Sequence, residues 1–350
     1  MQKLFLGVAA VAIMATACNA QRGGERLSRE CRQQVVQLCG TDRGKIRECL
    51  MQKRDQLSQQ CVAEIGERAK QRIDGRDRTA NPTLDKPHLA LGAVEHSYGS
   101  DPLQKLDFYP AKVSAPAPLV IFVHGGGWKR GDKRNATGAD KVKHYAGLGY
   151  HFASVNYRLV PGATVEHQGA DVAAAIAHLL ENSEKLGIDK SRVVLMGHSA
   201  GAHLSALVGT DPQYLRGAGL DLKALSGVVP IDGAAYDVAK QMVDGNRIMQ
   251  DTYAEAFGTD PARQKALSPT LQTAGPNAPT FLILHVDRAD GKRQSEALAA
   301  ALRSAGTKVQ INAFEGKGMQ GHADINRKMG DPAYPATPVV DAWRKDVFGK

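Results

Sequence analysis

The chain has 350 residues, of which 43% are hydrophobic and 23% charged, and this composition excludes a protein that is disordered throughout. The longest apolar run, Leu4 to Met14, is shorter than the roughly 20 residues that span a bilayer, so we expect no integral membrane protein. Residues 21–80 carry 14 Lys and Arg against 9 Asp and Glu, or +5 of the net charge of +9. The basicity therefore belongs to an N-terminal arm suited to an anionic surface, and it does not indicate nucleic-acid binding.

The first 17 residues have the pattern of a secretory signal, with a positive start, the apolar stretch LFLGVAAVAIM and small residues before Cys18. Because Ala15-Thr16-Ala17-Cys18 resembles a lipobox, Cys18 is predicted to be the lipidated first residue of a bacterial lipoprotein. We expect the protein on the periplasmic face of a membrane, and Asn19 favours the outer membrane. Cleavage by an ordinary signal peptidase, with loss of Cys18 and a periplasmic or secreted product, is the alternative.

Four further cysteines lie within 31 residues, and the 289 residues that follow contain none. In an exported protein such a cluster predicts disulfides. A zinc site is disfavoured because the spacings offer no CxxC pair and the interval contains no histidine. The cysteines are Cys31, Cys39, Cys49 and Cys61.

Helix-forming residues flank Gly40 and Gly44 in this segment, which predicts an antiparallel helical hairpin over residues 26–71. Such a hairpin would place the two inner cysteines opposite each other and the two outer ones likewise, giving the pairs Cys39–Cys49 and Cys31–Cys61. The order Cys-(x)7-Cys, Gly, Cys-Leu, Leu-Ser, Cys resembles the cysteine-rich repeat of Golgi cysteine-rich glycoprotein 1. That resemblance implies a disulfide-stapled helical module and transfers no function, so the partner of the module is unknown.

Residues 72–92 mix charge, Pro and Gly without helical or strand periodicity, and they are predicted to link the module to a body over residues 93–350. The body alternates short apolar runs with longer amphipathic stretches. This alternation predicts an α/β fold with a doubly wound, mostly parallel sheet, preceded by an antiparallel edge hairpin over 93–99 and 105–110. The predicted strands are 118–123, 151–157, 193–197, 227–231, 281–286 and 309–314, and the predicted helices are 138–147, 168–186, 200–210, 291–305 and 337–347.

A GxSxG pentapeptide, Gly197-His198-Ser199-Ala200-Gly201, directly follows the strand VVLMG and precedes a helix-forming stretch. This strand-turn-helix context is the one in which a nucleophilic serine is held above the sheet, with the helix N-terminus behind it. A serine that merely caps a helix is the alternative. We expect Ser199 to be a nucleophile.

The motif His124-Gly125-Gly126-Gly127-Trp128 ends the strand PLVIFV. Successive glycines allow backbone N–H groups to point together into a cavity, as an oxyanion hole requires. A phosphate-binding loop would continue with Lys followed by Ser or Thr at a helix start, and the sequence WKRGD does not.

Two histidines follow the helix of Ser199 in the chain. His285 lies inside the strand FLILHV and is predicted to be a core residue, whereas His322 lies in a glycine-rich loop ahead of a helix and is predicted to be the general base. The acid is expected just after FLILHV, where Asp287 and Asp290 are both candidates. We favour Asp287, because it comes immediately after the strand and Asp290 could cap the next helix.

With these motifs in place, residues 95–350 resemble the α/β-hydrolase superfamily. The similarity is to the esterase and lipase branch with HGGGW and GHSAG, which includes feruloyl and acetyl-xylan esterases and relatives of hormone-sensitive lipase. Besides those motifs, the matching stretches are ASVNYRLVPGA, RQSEALAAALRSAG and GHADINRKMG. Where relatives often have a plainer HGxxD, this chain has HVDRAD, which leaves Asp290 open as the acid.

The resemblance implies a serine carboxylesterase that acts through Ser199, His322 and Asp287. The N–H groups of Gly126, Gly127 and Ala200 would bind the oxyanion. No metal or organic cofactor and no nucleic acid is implied, and the expected partner is a small-molecule or polysaccharide-linked ester. An aryl-formamidase, a serine exopeptidase and a non-catalytic binding lipoprotein remain alternatives.

The stretch 232–279 between two core strands has the length of a lid, but its large apolar residues are scattered among charges. It can wall a pocket and offers no continuous apolar face to cover a long chain. We therefore expect short acyl groups, from acetyl to butyryl, to be preferred. The residues predicted to wall the pocket are Tyr236, Met242, Tyr253 and Phe257.

Overall fold

A computed structural model describes residues 28–40, 49, 53, 56–65, 91–114, 116–134, 136–245 and 249–349. The chain divides into two units, 1–80 and 81–350. The predicted signal peptide, Cys18 and residues 72–90 of the predicted linker lie outside the described residues, so these assignments stay predictions. Within the described part of the chain, no helix has the length and hydropathy needed to cross a membrane.

The N-terminal unit contains helix α1 (Arg29–Cys39), and residues 59–65 are also helical. The hydroxyl of Ser28 caps α1 by accepting from the Cys31 amide at 3.1 Å. Disulfides join Cys31 to Cys61 and Cys39 to Cys49, with Cα–Cα distances of 5.0 and 5.6 Å. The predicted pairing is confirmed. A small core surrounds the first bridge and contains Cys31, Val35, Leu57 and Cys61.

The larger unit contains an eight-stranded sheet in the order β1-β2-β4-β3-β5-β6-β7-β8. The pairs β1–β2 and β2–β4 are antiparallel, and the other pairs are parallel. The predicted doubly wound sheet with an antiparallel edge is therefore confirmed. The strands are β1 (Val94–Ser97), β2 (Lys105–Tyr109), β3 (Ala117–Val123), β4 (His151–Val155), β5 (Ile188–His198), β6 (Gly227–Ile231), β7 (Thr280–Asp287) and β8 (Lys308–Lys317).

The central strands are continuous apolar runs because both faces of the sheet are covered. All seven residues of β3 are buried. Since side chains alternate between the faces of a strand, Ile121 and Val123 join one hydrophobic core, while Val120 and Phe122 join the core on the opposite face. The burial of both faces fixes the register of β3, because a shift of one residue would exchange the two sets.

Helices cover the sheet and form the 232–279 segment. They are α2 (Ala139–Gly147), α3 (Val165–Glu181), α4 (Ser183–Leu186), α5 (Ala200–Thr210), α6 (Pro212–Gly217), a 3₁₀ turn (Leu222–Ala224), α7 (Val238–Asp244), α8 (Gln250–Phe257), α9 (Pro261–Ala266), α10 (Pro269–Gln272), α11 (Ala289–Ser304), α12 (Gly318–Arg327) and α13 (Ala336–Phe348). In this arrangement the segments after β3, β5, β6 and β7 meet at the carboxyl edge of the sheet, where open α/β sheets bind ligands.

Candidate active site

Ser199 lies in the sharp turn between β5 and α5. Its backbone is in an unusual region, with φ 57° and ψ −119°, as expected for a strained nucleophile turn. The Ser199 amide donates to the carbonyl of Ile231 at the end of β6 at 3.1 Å, which fixes the turn against the neighbouring strand. Gly201 is required here, because a Cβ at this position would lie 2.1 Å from the carbonyl oxygen of Val123.

The glycine loop after β3 packs against this turn. A Cβ on Gly125 would lie 2.9 Å from the Cβ of Ser199, so only glycine allows the loop to come this close. Tyr157 stacks on the His124 ring, with centroids 4.5 Å apart, and its hydroxyl donates to the His124 carbonyl at 2.9 Å. These contacts hold the start of the loop beside the serine.

Trp128 closes the glycine loop and is buried, with φ 59°. Its ring packs edge-on against Phe257 at 4.7 Å, and its Nε1 donates to Nδ1 of His203 at 3.3 Å. Burial lowers the pKa of His203 to about 4, so this imidazole is neutral and its Nε2–H donates to the Leu267 carbonyl at 2.8 Å. The helix after Ser199, the glycine loop and the 232–279 segment are thereby joined through one histidine.

His322 contacts a carboxylate that the sequence did not single out. Its Nδ1 lies 2.5 Å from Oδ2 of Asp232, which is completely buried directly after β6. The other oxygen, Oδ1, accepts from the amide of Val286 at 3.1 Å. Burial disfavours the ionised form of Asp232, but the hydrogen bond from His322 and the charge of Arg288 outweigh it and lower its pKa to about 2.

The assignment of Asp287 as the partner of His322 is wrong in this structure. Asp287 is exposed at the end of β7, and the pairing of β7 with β8 shifts register between Val286 and Asp287. Here β7 advances by one residue while β8 advances by three, from Phe314 to Lys317, so the bulge lies in β8, beside the end of β7. Asp290 does not replace it, because its carboxylate accepts from Arg288 and Gln241 instead.

His322 itself lies inside helix α12, not in the loop predicted for it. Burial and the neighbouring His322 lower the pKa of His198 well below its ordinary value. The neutral His198 ring then donates from Nε2 to the His322 carbonyl at 2.9 Å. Further along α12, the buried Lys141 ammonium donates to the carbonyls of Asn326 and Thr137, and burial lowers its pKa to about 7. Both side chains fix α12, and with it the His322 ring.

Ser199 and His322 line one cavity of about 120 Å³. The cavity is smaller than the roughly 300–1,000 Å³ of typical small-molecule pockets. Its walls combine apolar and polar side chains, which include Trp128, Met249, Tyr253, Arg288, Asp290 and Met319. Of the residues predicted to wall it, Tyr253 does so, whereas Tyr236 and Phe257 are buried in the core.

Two of the three residues expected to bind an oxyanion also border this cavity, namely Gly127 and Ala200. Gly126 precedes Gly127 in the loop with φ 136°, and a Cβ on it would clash with the carbonyl of Arg130. His285 is buried in β7, as predicted for a core residue.

The fold and motifs agree with the similarities of this chain to known proteins. The BD-FAE family model matches residues 106–302, which is more than half of the chain. The chain is 31% identical to Esterase LipC of Mycobacterium tuberculosis over 235 residues, covering 59% of this chain and 56% of that protein. It is 28% identical to the isoprenylcysteine alpha-carbonyl methylesterase ICME of Arabidopsis thaliana over 241 residues, covering 63% of this chain and 54% of that protein. The chain thus spans little more than half the length of these relatives.

Among solved structures, the fold is similar to that of esterase B from Lactobacillus rhamnosis. The TM-score is 0.60 at 21% identity, and the match covers 80% of this chain and 93% of that one. This likeness establishes the fold. The predicted α/β-hydrolase fold is confirmed, together with the predicted resemblance to its esterases.

Proposed function

The chain belongs to the BD-FAE family, and we propose that it is a serine carboxylesterase in which Ser199, His322 and Asp232 act together. The observation that carries the proposal is the hydrogen bond between His322 and the buried Asp232. His322 also lines the same small cavity as Ser199, which lies in the strained turn. The esterase relatives support ester hydrolysis, and the site supports the serine mechanism.

The proposed reaction is a two-step acyl transfer. Asp232 holds the proton of His322 on Nδ1, so Nε2 is free to take the proton of the Ser199 hydroxyl as its oxygen attacks the ester carbonyl. The N–H groups of Gly126, Gly127 and Ala200 stabilise the oxyanion. His322 then gives its proton to the departing alcohol. In the second step, water attacks the acyl-enzyme, His322 takes a proton from the water, and it returns this proton to the oxygen of Ser199 as the acid is released.

A substrate panel tests this function directly. The purified protein is assayed with p-nitrophenyl acetate, formanilide and alanine p-nitroanilide, and each rate is compared with the uncatalysed rate. We expect the largest acceleration for the ester. A larger acceleration for the formamide or the aminoacyl amide would reassign the enzyme to an aryl-formamidase or an exopeptidase, and no acceleration with any substrate would support a non-catalytic binding protein.

We propose short acyl groups as the preferred ones, because the cavity beside Ser199 holds about 120 Å³ and Trp128, Met249 and Tyr253 form its walls. Turnover of p-nitrophenyl esters from acetate to palmitate should be greatest at acetate to butyrate and fall by decanoate. A maximum at decanoate or beyond would contradict this prediction.

We also propose that the protein is an exported lipoprotein anchored through Cys18, on the strength of the signal-like first 17 residues. In a bacterial host, processing should be sensitive to globomycin, and the mature protein should carry a lipid-sized mass increment. Cys18→Ser should release the protein from the membrane fraction. If the wild-type protein is already found in the soluble periplasmic or secreted fraction, ordinary export is the better explanation.

A further inference from the structure

Asp290 lines the cavity beside Ser199, and the proposed mechanism gives this residue no role. It lies in the first turn of α11 and is largely buried. One carboxylate oxygen, Oδ2, accepts from Nη1 of Arg288 at 2.8 Å and from Nε2 of Gln241 at 3.0 Å. Gln241 also contacts the hydroxyl of Tyr253, another wall of the cavity, at 3.0 Å. The carboxylate is therefore held in a fixed position in the wall of the cavity that Ser199 and His322 also line.

The second oxygen of Asp290, Oδ1, accepts no hydrogen bond from any residue that the structure describes. An ionised carboxylate can only accept hydrogen bonds, so a group that pairs with Oδ1 must be a donor. Hydrogen bonds to a charged acceptor contribute more than those between neutral groups. An acceptor of this kind on the wall of a reaction cavity distinguishes substrates by whether they can donate to it.

The charge of the neighbouring Arg288 does not offset the preference of Asp290 for a hydrogen-bond donor. Its Nε donates to Oδ2 of Asp232 at 3.2 Å, and its Nη2 donates to the carbonyls of Asp232 and Gly233 at 3.1 and 2.9 Å. With Nη1 on Asp290, the guanidinium is engaged by two carboxylates and two carbonyls. Apart from His322, it is the only basic side chain among the described residues that line the cavity. Arg288, Asp290 and the buried Asp232 behind the wall together carry one net negative charge, which disfavours an anionic substrate group.

From these contacts we propose that Asp290 is a specificity-determining residue, which accepts a hydrogen bond from a hydroxyl or ammonium group carried by the ester substrate near its scissile carbonyl. The inference rests on the proposed esterase function and adds the substrate class: esters of hydroxylated or aminated compounds. Neutral hydroxyl and charged ammonium donors fit the same oxygen, so the test contains both.

Matched esters provide the test, measured by pH-stat and normalised to hydroxide-catalysed hydrolysis of each ester. On the acyl side, ethyl glycolate and ethyl glycinate are compared with ethyl propionate, and on the alcohol side 2-hydroxyethyl acetate is compared with propyl acetate. Monoethyl malonate represents an anionic substrate. For the wild type, we expect the donor-bearing ester of at least one pair to have a normalised kcat/KM about tenfold or more above that of its alkyl partner.

Asp290→Asn should lower the ratio of kcat/KM between the donor-bearing ester and its alkyl partner to about one. The amide oxygen can still accept from Arg288 and Gln241, which puts the amide NH₂ in the place of Oδ1 and replaces an acceptor by a donor. The kcat/KM of the variant for monoethyl malonate, relative to that for ethyl propionate, should therefore be higher than in the wild type. Asp287→Asn is the matched control, since Asp287 is three residues away and exposed, and its ratios should equal those of the wild type.

Two results would overturn the inference. The wild type could show no preference in either pair, or Asp290→Asn could retain the wild-type ratios. If the ratios are retained while kcat/KM falls by the same factor on every ester, Asp290 only positions Arg288. A wild type that hydrolyses none of the esters would overturn the proposed function itself, and the inference with it, whereas hydrolysis without donor preference overturns the inference alone.

Discussion

Ser199→Ala and His322→Ala should each lower kcat for ester hydrolysis by about 10⁶-fold, because nucleophile and base act as one unit and the loss of either removes the whole pathway. The double variant should be little worse than either single one, since the effects of such residues are not additive. Activity is followed with p-nitrophenyl acetate under conditions in which hydroxide-catalysed hydrolysis is subtracted.

Folding provides the control for these variants. Ser199 keeps its backbone contact with Ile231 when the hydroxyl is removed, so Ser199→Ala should unfold at a temperature close to that of the wild type. If folded Ser199→Ala retained a tenth of the wild-type turnover, Ser199 would not be the nucleophile.

Asp232→Asn should lower kcat by about 10⁴-fold, the size of loss found when the acid of such a triad becomes an amide. Asn removes the negative charge that stabilises the His322 imidazolium, and an Asn NH₂ group facing Nδ1 would in addition force the His322 proton onto Nε2, where the imidazole could no longer accept the proton of Ser199. Asp287→Asn should remain close to the wild type, because the Asp287 side chain is exposed at the end of β7. The same assay measures both variants.

The ranking of these two variants is decisive for the acid. A large loss for Asp287→Asn with a small one for Asp232→Asn would restore the assignment expected from the position directly after FLILHV. Since Arg288 also holds Asp232, part of the loss in Asp232→Asn could come from unfolding, and the thermal unfolding temperature of the variant separates this effect from catalysis.

The fold was predictable from the sequence because each strand is indicated by the pattern of apolar residues within its own segment. The fully buried run of β3 and the alternation of strands with helices follow from the residues of each segment alone. The same holds for Ser199, whose motif requires a strand before it and a helix after it. The disulfide pairs were predictable because two helix-forming segments on either side of glycines allow one nested arrangement.

The acid was not predictable in this way, because its identity depends on contacts between strands that are far apart in the chain. An aspartate lies at the carboxyl end of both strands, directly after β6 in PIDG and as the last residue of β7 in HVDR, and the two sequence patterns look equivalent. Asp287 is exposed at the end of β7, beside the irregular part of β8, while Asp232 is buried with φ 43° and accepts from the Val286 amide. The position of Asp232 directly after the neighbouring strand β6 is the sequence signal that could have identified it as a candidate acid. The position of Arg288 between Asp232 and Asp290 depends on tertiary contacts and has no such signal.

Covalent labelling with paraoxon tests the central claim, that Ser199 is a nucleophile activated by the His322–Asp232 pair, most directly. Ser199 should displace p-nitrophenol and retain one diethylphosphoryl group, seen as a single mass increment that peptide mapping assigns to Ser199. The increment should be absent in Ser199→Ala and should form far more slowly in His322→Ala and Asp232→Asn than in Asp287→Asn. An adduct on another residue, or equal labelling rates in Asp232→Asn and the wild type, would contradict the claim.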